Sequence, residues 1–220
     1  MTLKRLLSTL FSCLPLIITL FVLPIMPDII PVHYGLYGNV TRYGSKFELL
    51  VVPAFSIAMM FFWFLMERIA LKDAEKGKLN AIVLYWINVM TSLIFTALQI
   101  WFVILAYTGA ETTHSESIDF IKLAAVCVGI GYIVIGNLLP KCKRNMLVGI
   151  RTKWTLLCDA TWYKTHRFGG RLMVVCGVLS VLACLTLFDG IAGLLFAASV
   201  SAVIVILVTI YSLHVYKQAL

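Results

Sequence analysis

The sequence predicts an all-α, polytopic integral membrane protein with six transmembrane helices and both termini in the cytoplasm. Three observations carry this. Mean hydropathy is +0.98, with 61% hydrophobic and 13% charged residues over 220 positions; six apolar runs are each long enough to cross a bilayer; and Lys and Arg are distributed unevenly over the connections. Such a composition excludes a water-soluble globular domain. A crossing takes roughly 20 apolar residues, because the hydrocarbon core is about 30 Å thick and each helical residue rises about 1.5 Å. Continuous rather than alternating runs select helices, which satisfy their own backbone hydrogen bonds in lipid.

The six runs are Leu6 to Leu23, Phe47 to Met66, Leu79 to Tyr107, Ile118 to Leu139, Leu172 to Phe188 and Ile191 to Tyr216. The first follows Lys4 and Arg5 and has no small-x-small cleavage site before Pro24, so it reads as an uncleaved anchor. Leu10-Phe11-Ser12-Cys13 imitates a lipoprotein box only loosely, since Phe11 is bulky and the preceding apolar run is short. In the third run Asn88 and Gln99 read as interhelical glue. No ionisable group is expected inside the spans, which argues against an ion transporter. The sixth run places Gly193, Ala197 and Ser201 four apart, a small-residue seam for close helix packing.

Sidedness follows from the positive residues, which stay in the cytoplasm. With the termini inside, 18 Lys and Arg divide so that only Arg42, Lys46 and Lys122 lie outside. The acidic Glu111, Glu116 and Asp119 fit an external third loop. The net charge of +8 is thereby a matter of topology and attraction to anionic lipids, with no direct nucleic-acid binding implied. None of the six cysteines falls in an external loop, so disulfides are not expected. Cys142, Cys158 and His166 lack paired ligand spacing, so no metal and no cofactor is expected.

Two connections carry specific chemistry. The external one, from Leu23 to Lys46, has Pro24, Pro27 and Pro31 to favour extended backbone, Gly35, Gly38 and Gly44 to permit turns, and Tyr34, Tyr37 and Tyr43 suited to the interface. It reads as an ordered loop. His33, Tyr34 and Asp28 are its candidate ligand-binding residues, the plainer alternative being His33 paired with Asp28 or a backbone carbonyl.

The long cytoplasmic connection holds eight Lys and Arg residues between Pro140 and Arg171, more than topology requires. Asp159 is suited to cap a helix near Thr161 and Trp162 that runs on into the fifth span. On that helix Trp162, His166 and Gly169-Gly170 share a face, and the flanking Arg167 and Arg171 can fork onto phosphate or carboxylate. In the alternative reading Trp154, Trp162 and Tyr163 anchor the interface, His166 bonds backbone and the arginines meet lipid phosphates.

Asn145, Gly149-Ile150-Arg151-Thr152, Trp154-Thr155-Leu156, Trp162, Thr165-His166-Arg167 and Gly170, preceded by Gly136-Asn137 and Pro140-Lys141, resemble the signature of the SdpI/YfhL family of bacterial integral membrane proteins. Leu23 to Lys46, with Ile30-Pro31-Val32-His33, resembles the small membrane domain of unknown function that often precedes it. Lys153 and Arg144 depart from the family, each standing where proline is common, which frees the backbone there. The resemblance implies a bacterial cell-membrane protein giving immunity against a secreted antimicrobial peptide, with signalling by capture of a cytoplasmic transcriptional repressor.

On this reading residues 1–78 form a membrane hairpin with its external loop, 79–117 the third helix and following loop, and 118–220 an SdpI-like domain of three spans with the basic loop 140–171. The function expected is non-enzymatic immunity or reception. Asn145, Arg151, Thr152, Trp154, Trp162, His166 and Arg167 are the candidates for meeting a partner or anionic lipid inside. Two alternatives stay open: a lipid- or phosphate-directed enzyme with His166 as acid/base and Arg151 and Arg167 holding a phosphate, and an exporter of a peptide or amphiphile.

Overall fold

The apolar runs become helices because nothing else satisfies their backbone in lipid. The computed structural model describes residues 3–35, 39–73, 75–108, 120–188 and 190–218. Six of its helices are long and apolar enough to cross a membrane: α1 (Leu3–Val22), α2 (Val51–Ala70), α3 (Gly77–Thr108), α4 (Phe120–Leu138), α6 (Asp159–Thr186) and α7 (Gly190–Gln218). A short α5 (Lys153–Leu157) lies in the long loop. Helix α6 starts well before its apolar run and continues into the span without a break. Tyr37, Gly38, Glu111, Glu116 and Asp119 lie outside the described residues.

The connection read as an ordered loop is a β-hairpin. Strand β1 (Ile29–Tyr34) pairs antiparallel with β2 (Val40–Ser45), with Ile29 opposite Ser45 and Pro31 opposite Tyr43, and with register shifts on both sides of His33. A two-stranded hairpin is marginal alone. Here Ile30 and Met26 are buried with Leu49 and Ala106, and Val22 and Phe102 pack around them. The hairpin thus plugs one end of the bundle, opposite the end that holds the long loop.

Helices α1, α2 and α3 pack together, and α4, α6 and α7 form a second group. In the first group the inward face of α1 is Ser8, Ser12, Pro15 and Thr19, while its leucines face outward. Lipid tails solvate leucine as well as a protein core does, so small polar side chains take the inside, where they allow close approach and bond across helices. The Ser12 and Ser92 hydroxyls lie 2.7 Å apart, Ser56 Oγ donates to the Ser12 carbonyl at 2.9 Å, and Gln99 Nε2 donates to Thr19 Oγ1 at 2.8 Å and to the Leu49 carbonyl at 3.1 Å. Gln99 is therefore the glue its position suggested. Asn88 is buried, but its side-chain amide has no partner among the described residues, so it does not serve that role. Glu67, in the last turn of α2 and just beyond the predicted run, is buried at 7% exposure.

The second group is held by glycine. A Cβ placed on Gly136 would sit 2.6 Å from the Gly170 carbonyl oxygen, and one on Gly170 would sit 2.6 Å from that of Gly136. Two turns along, a Cβ on Gly177 would sit 2.6 Å from the Gly129 carbonyl. These reciprocal contacts bring α4 and α6 backbone to backbone. The seam read on α7 is structural: Ala197 packs on Ala125 and Cys184, and Ser201 Oγ accepts the Tyr132 hydroxyl at 2.5 Å.

Replacing Gly170 or Gly136 with alanine is expected to destabilise the protein by about 1–3 kcal/mol, since neighbouring backbone must move. Gly131→Ala, whose Cβ meets nothing within 4 Å, is expected to be neutral or to add up to about 1 kcal/mol. Thermal unfolding in detergent, comparing the three variants, measures the difference.

Candidate functional site

The long loop is organised around one face of α6. Trp162, His166, Gly169 and Gly170 are all buried on it, as their spacing predicts. The indole Nε1 donates to the Cys142 carbonyl at 2.9 Å, and the ring stacks on the His166 imidazole with centroids 4.0 Å apart and planes inclined by 20°. His166 Nε2 accepts the Ile150 backbone N–H at 3.0 Å. A backbone amide only donates, so Nε2 carries a lone pair, and Nδ1 holds the proton it donates to the Trp162 carbonyl at 2.8 Å. The imidazole is neutral and both nitrogens are engaged by backbone. Gly149 passes against this pair with φ of 119°, where any side chain would run into His166 and Trp162.

Other signature residues close the loop on itself. Asn145 Oδ1 accepts the Leu147 and Val148 N–H groups at 2.6 and 2.8 Å, while its Nδ2 donates to the Lys143 and Val148 carbonyls. Thr152 caps α5 in a reciprocal box with Thr155 and donates to Ser212 Oγ on α7 at 3.1 Å. Lys153 is the first residue of α5, where proline is favoured because the N–H needs no helical partner. Lysine fits that position equally, and its ammonium lies 5.3 Å from the Trp154 ring. Arg144, at the other proline-like position, donates to the Asp159 carboxylate at 2.5 Å and to the Leu156 carbonyl at 2.6 Å.

Two expectations are corrected here. Asp159 does not cap α6: Cys158 is the N-cap, and the Asp159 carboxylate is held by Arg144 instead. Trp162 is buried rather than an interfacial anchor. Arg151 donates to the Met146 carbonyl, while Arg167 lies over the Tyr163 ring and donates to its hydroxyl at 3.2 Å. Both arginines are exposed, as are Met146, Leu157 and Tyr163; Trp154 is half-buried. The residues named together from the sequence thus divide. Asn145, Thr152, Trp162 and His166 build the loop, and Arg151, Arg167 and Trp154 present its outer surface.

At the hairpin end, His33 and Asp28 are not paired. His33 Nδ1 lies 2.5 Å from Thr41 Oγ1 across the hairpin, and Asp28 bridges to Lys46 at 2.9 Å. Tyr34 is half-buried against Trp101, with centroids 6.2 Å apart. Burial, with Tyr43 nearby, pushes its hydroxyl up to about 12, so it stays protonated. Beside these residues is a cavity of about 320 Å³ lined by Ile30, Val32, Leu49, Val52, Phe102 and Gln99, with Arg42 and Glu48 at its edge in a two-point ion pair at 2.7 and 3.0 Å. The sequence offered little sign of it, since strand pairing is what brings Arg42 over the first turn of the next helix.

Residues 141–212 match the SdpI/YfhL protein family, and residues 10–57 match the domain of unknown function DUF1648. The chain thus carries an SdpI/YfhL family segment behind a DUF1648 segment. It is 24% identical over 215 residues to "Immunity protein SdpI" of Bacillus subtilis (strain 168), across 98% of this chain and 97% of that protein. No solved structure matches. The SdpI/YfhL match spans the loop, α6 and most of α7, so the Trp162–His166 lock and the Thr152–Ser212 bond both fall inside it. The DUF1648 match spans the hairpin and most of α1.

His166→Ala leaves the Ile150 N–H buried without an acceptor and is expected to destabilise the protein by about 1–3 kcal/mol. His166→Gln, which offers an oxygen near Nε2, is expected to recover part of that, as read by thermal unfolding. The two loop cysteines should differ in reactivity. Thr161 and Ala160 N–H groups at the start of α6 draw the Cys158 thiol below its ordinary value, whereas burial pushes Cys142 up to about 12. Near neutral pH Cys158 therefore holds more thiolate, and iodoacetamide mapped by mass spectrometry is expected to label it well before Cys142.

Proposed function

We propose that this protein is a non-enzymatic immunity protein of the cell membrane, protecting its host from a secreted antimicrobial peptide and reporting the encounter to a cytoplasmic regulator. The observation that carries this reading is the near full-length match to an immunity protein, which takes in both the hairpin end and the loop end. The positive residues support placing the loop end and both termini in the cytoplasm, because Arg151, Lys153, Lys164, Arg167 and Arg171 all lie there. The hairpin then faces outward. His33, Tyr34 and the neighbouring cavity are where a membrane-active peptide would meet it, with apolar walls for its side chains and the Arg42–Glu48 pair for its termini or charges.

Engagement of both His166 nitrogens by backbone favours this reading over acid/base catalysis. It also favours a rigid loop whose outer face, with Arg151, Trp154 and Arg167, offers charge and an aromatic ring to a regulator such as a transcriptional repressor. That combination is common at protein interfaces.

Expression in a sensitive host challenged with a panel of membrane-active peptides is expected to raise survival against at least one of them; equal killing across a broad panel would sink the proposal. For the reporting step, Arg151→Ala and Arg167→Ala are expected to abolish recruitment of the regulator to the membrane while leaving unfolding temperature unchanged. Undiminished recruitment in both variants would reject that mechanism without touching protection.

A further inference from the structure

At the junction between the two helix groups lies a cleft of about 340 Å³ that neither the lock nor the outer loop surface uses. Its walls are Pro140, Trp162 and Tyr163, and its charged rim is Lys76, Lys143, Arg144 and Asp159. Arg144 is already engaged by Asp159. Both lysines stand close enough for their charges to act on the same carboxylate, yet neither ammonium has a bonded partner among the described residues. Three cations thus face one anion, an excess of two positive charges. Tyr163 adds a donor: its oxygen accepts from Arg167, so its own hydrogen is free. The uncommitted side-chain groups of Lys76, Lys143 and Tyr163 are donors, which is the complement of a phosphate.

We propose that this cleft binds the phosphate of one anionic phospholipid headgroup. A lipid is favoured over free phosphate by position. The cleft lies at the ends of α3, α4 and α6, and Leu79, on the first turn of α3 three residues beyond Lys76, is an exposed apolar residue. A headgroup between the lysines therefore leaves its acyl chains against surface that is already lipid-facing. Lys76 belongs to the connection from α2 to α3 and Lys143 to the long loop, so the phosphate also ties the two helix groups. It does so beside a direct bond between them, from the Lys143 N–H to Asn80 Oδ1 at 3.0 Å. The proposal does not depend on the immunity reading and can fail or stand independently of it.

The test is native mass spectrometry of the full-length protein in detergent with added phosphatidylglycerol or phosphatidylcholine. The wild type is expected to retain one phosphatidylglycerol and to discriminate against phosphatidylcholine. Lys76→Gln with Lys143→Gln is expected to lower retention at least about fivefold. Lys153→Gln with Lys164→Gln, which removes the same charge from exposed positions outside the cleft, is expected to leave it unchanged. Tyr163→Phe, which removes only a hydroxyl, is expected to lower it about threefold and decides the matter should the double variant fold poorly. Equal loss from both lysine pairs, no loss from the cleft pair, or no headgroup preference overturns the proposal. Displacement of the lipid by millimolar inorganic phosphate would overturn the choice of a lipid in favour of the free ion.

Discussion

The contact on which most of this structure depends is the approach of α4 to α6 at Gly136 and Gly170, with its echo at Gly129 and Gly177. In lipid there is no hydrophobic gain from burying leucine against leucine, so helices associate where backbones can touch and dispersion contacts accumulate. The Gly136–Gly170 pair fixes how far α6 can stand from α4 at the level where α4 ends. Pro140 lies against Gly170 and Ile150 against Gly169. Two residues on, the Cys142 carbonyl is in reach of the Trp162 indole. A side chain at either glycine would lift α6 and remove the ledge on which the long loop is built.

From that ledge the remaining geometry follows as a chain of backbone satisfactions. A loop of this length near apolar helix ends carries many amide groups, each of which needs a partner once it is buried. His166 serves Ile150, Trp162 serves Cys142, Asn145 serves four groups within its own turn, and Thr152 and Thr155 serve each other and the bend before α5. Polar residues that looked like recognition chemistry in the sequence are therefore mostly internal, and the loop becomes a rigid support. What it supports is the exposed set, Arg151, Arg167 and Trp154 on one side and the Lys76–Lys143 cleft on the other. Recognition by exposed charge on a rigid frame costs less ordering than recognition by a mobile segment.

The spans, their order and the shared face of Trp162, His166 and Gly170 were legible in the sequence, because each rests on local periodicity or on run length. Gln99 could be read as glue for the same reason: a buried amide in lipid must find a partner. What could not be read depends on contacts distant in sequence. Nothing near Asn88 marks it as lacking a partner where Gln99 has two. Asp159 looks like a helix cap until Arg144, fifteen residues earlier, takes its carboxylate. The hairpin escaped because Pro31 and Gly44 argue against ordinary strands. Its register shifts at His33 show how an irregular ladder accommodates them, and burial of Ile30 stabilises what the strands alone would not.

The two helix groups are held by different chemistry, and this bears on which of them can respond to a ligand. Backbone contacts between glycines have one arrangement, since any rotation drives a side chain into the neighbour. A seam of serine, threonine and amide side chains has several, because each hydroxyl can bond its own helix or the next. The unmade bonds are informative. Among the described residues the Thr161, Thr165 and Ser180 hydroxyls on α6 lack partners, but hydroxyls can turn onto their own helix. The Asn88 amide, Glu67 Oε1, the Trp63 indole N–H and Gln99 Oε1 also lack partners among the described residues, and no intrahelical carbonyl can complete an amide and a carboxyl together. These four lie among α2 and α3, in the group that carries the hairpin. The polar groups with bonds to gain thus belong to the group that the hairpin touches through Val22 and Phe102, and not to the glycine-packed pair α4 and α6. The Asn80–Lys143 bond joins that group to the long loop.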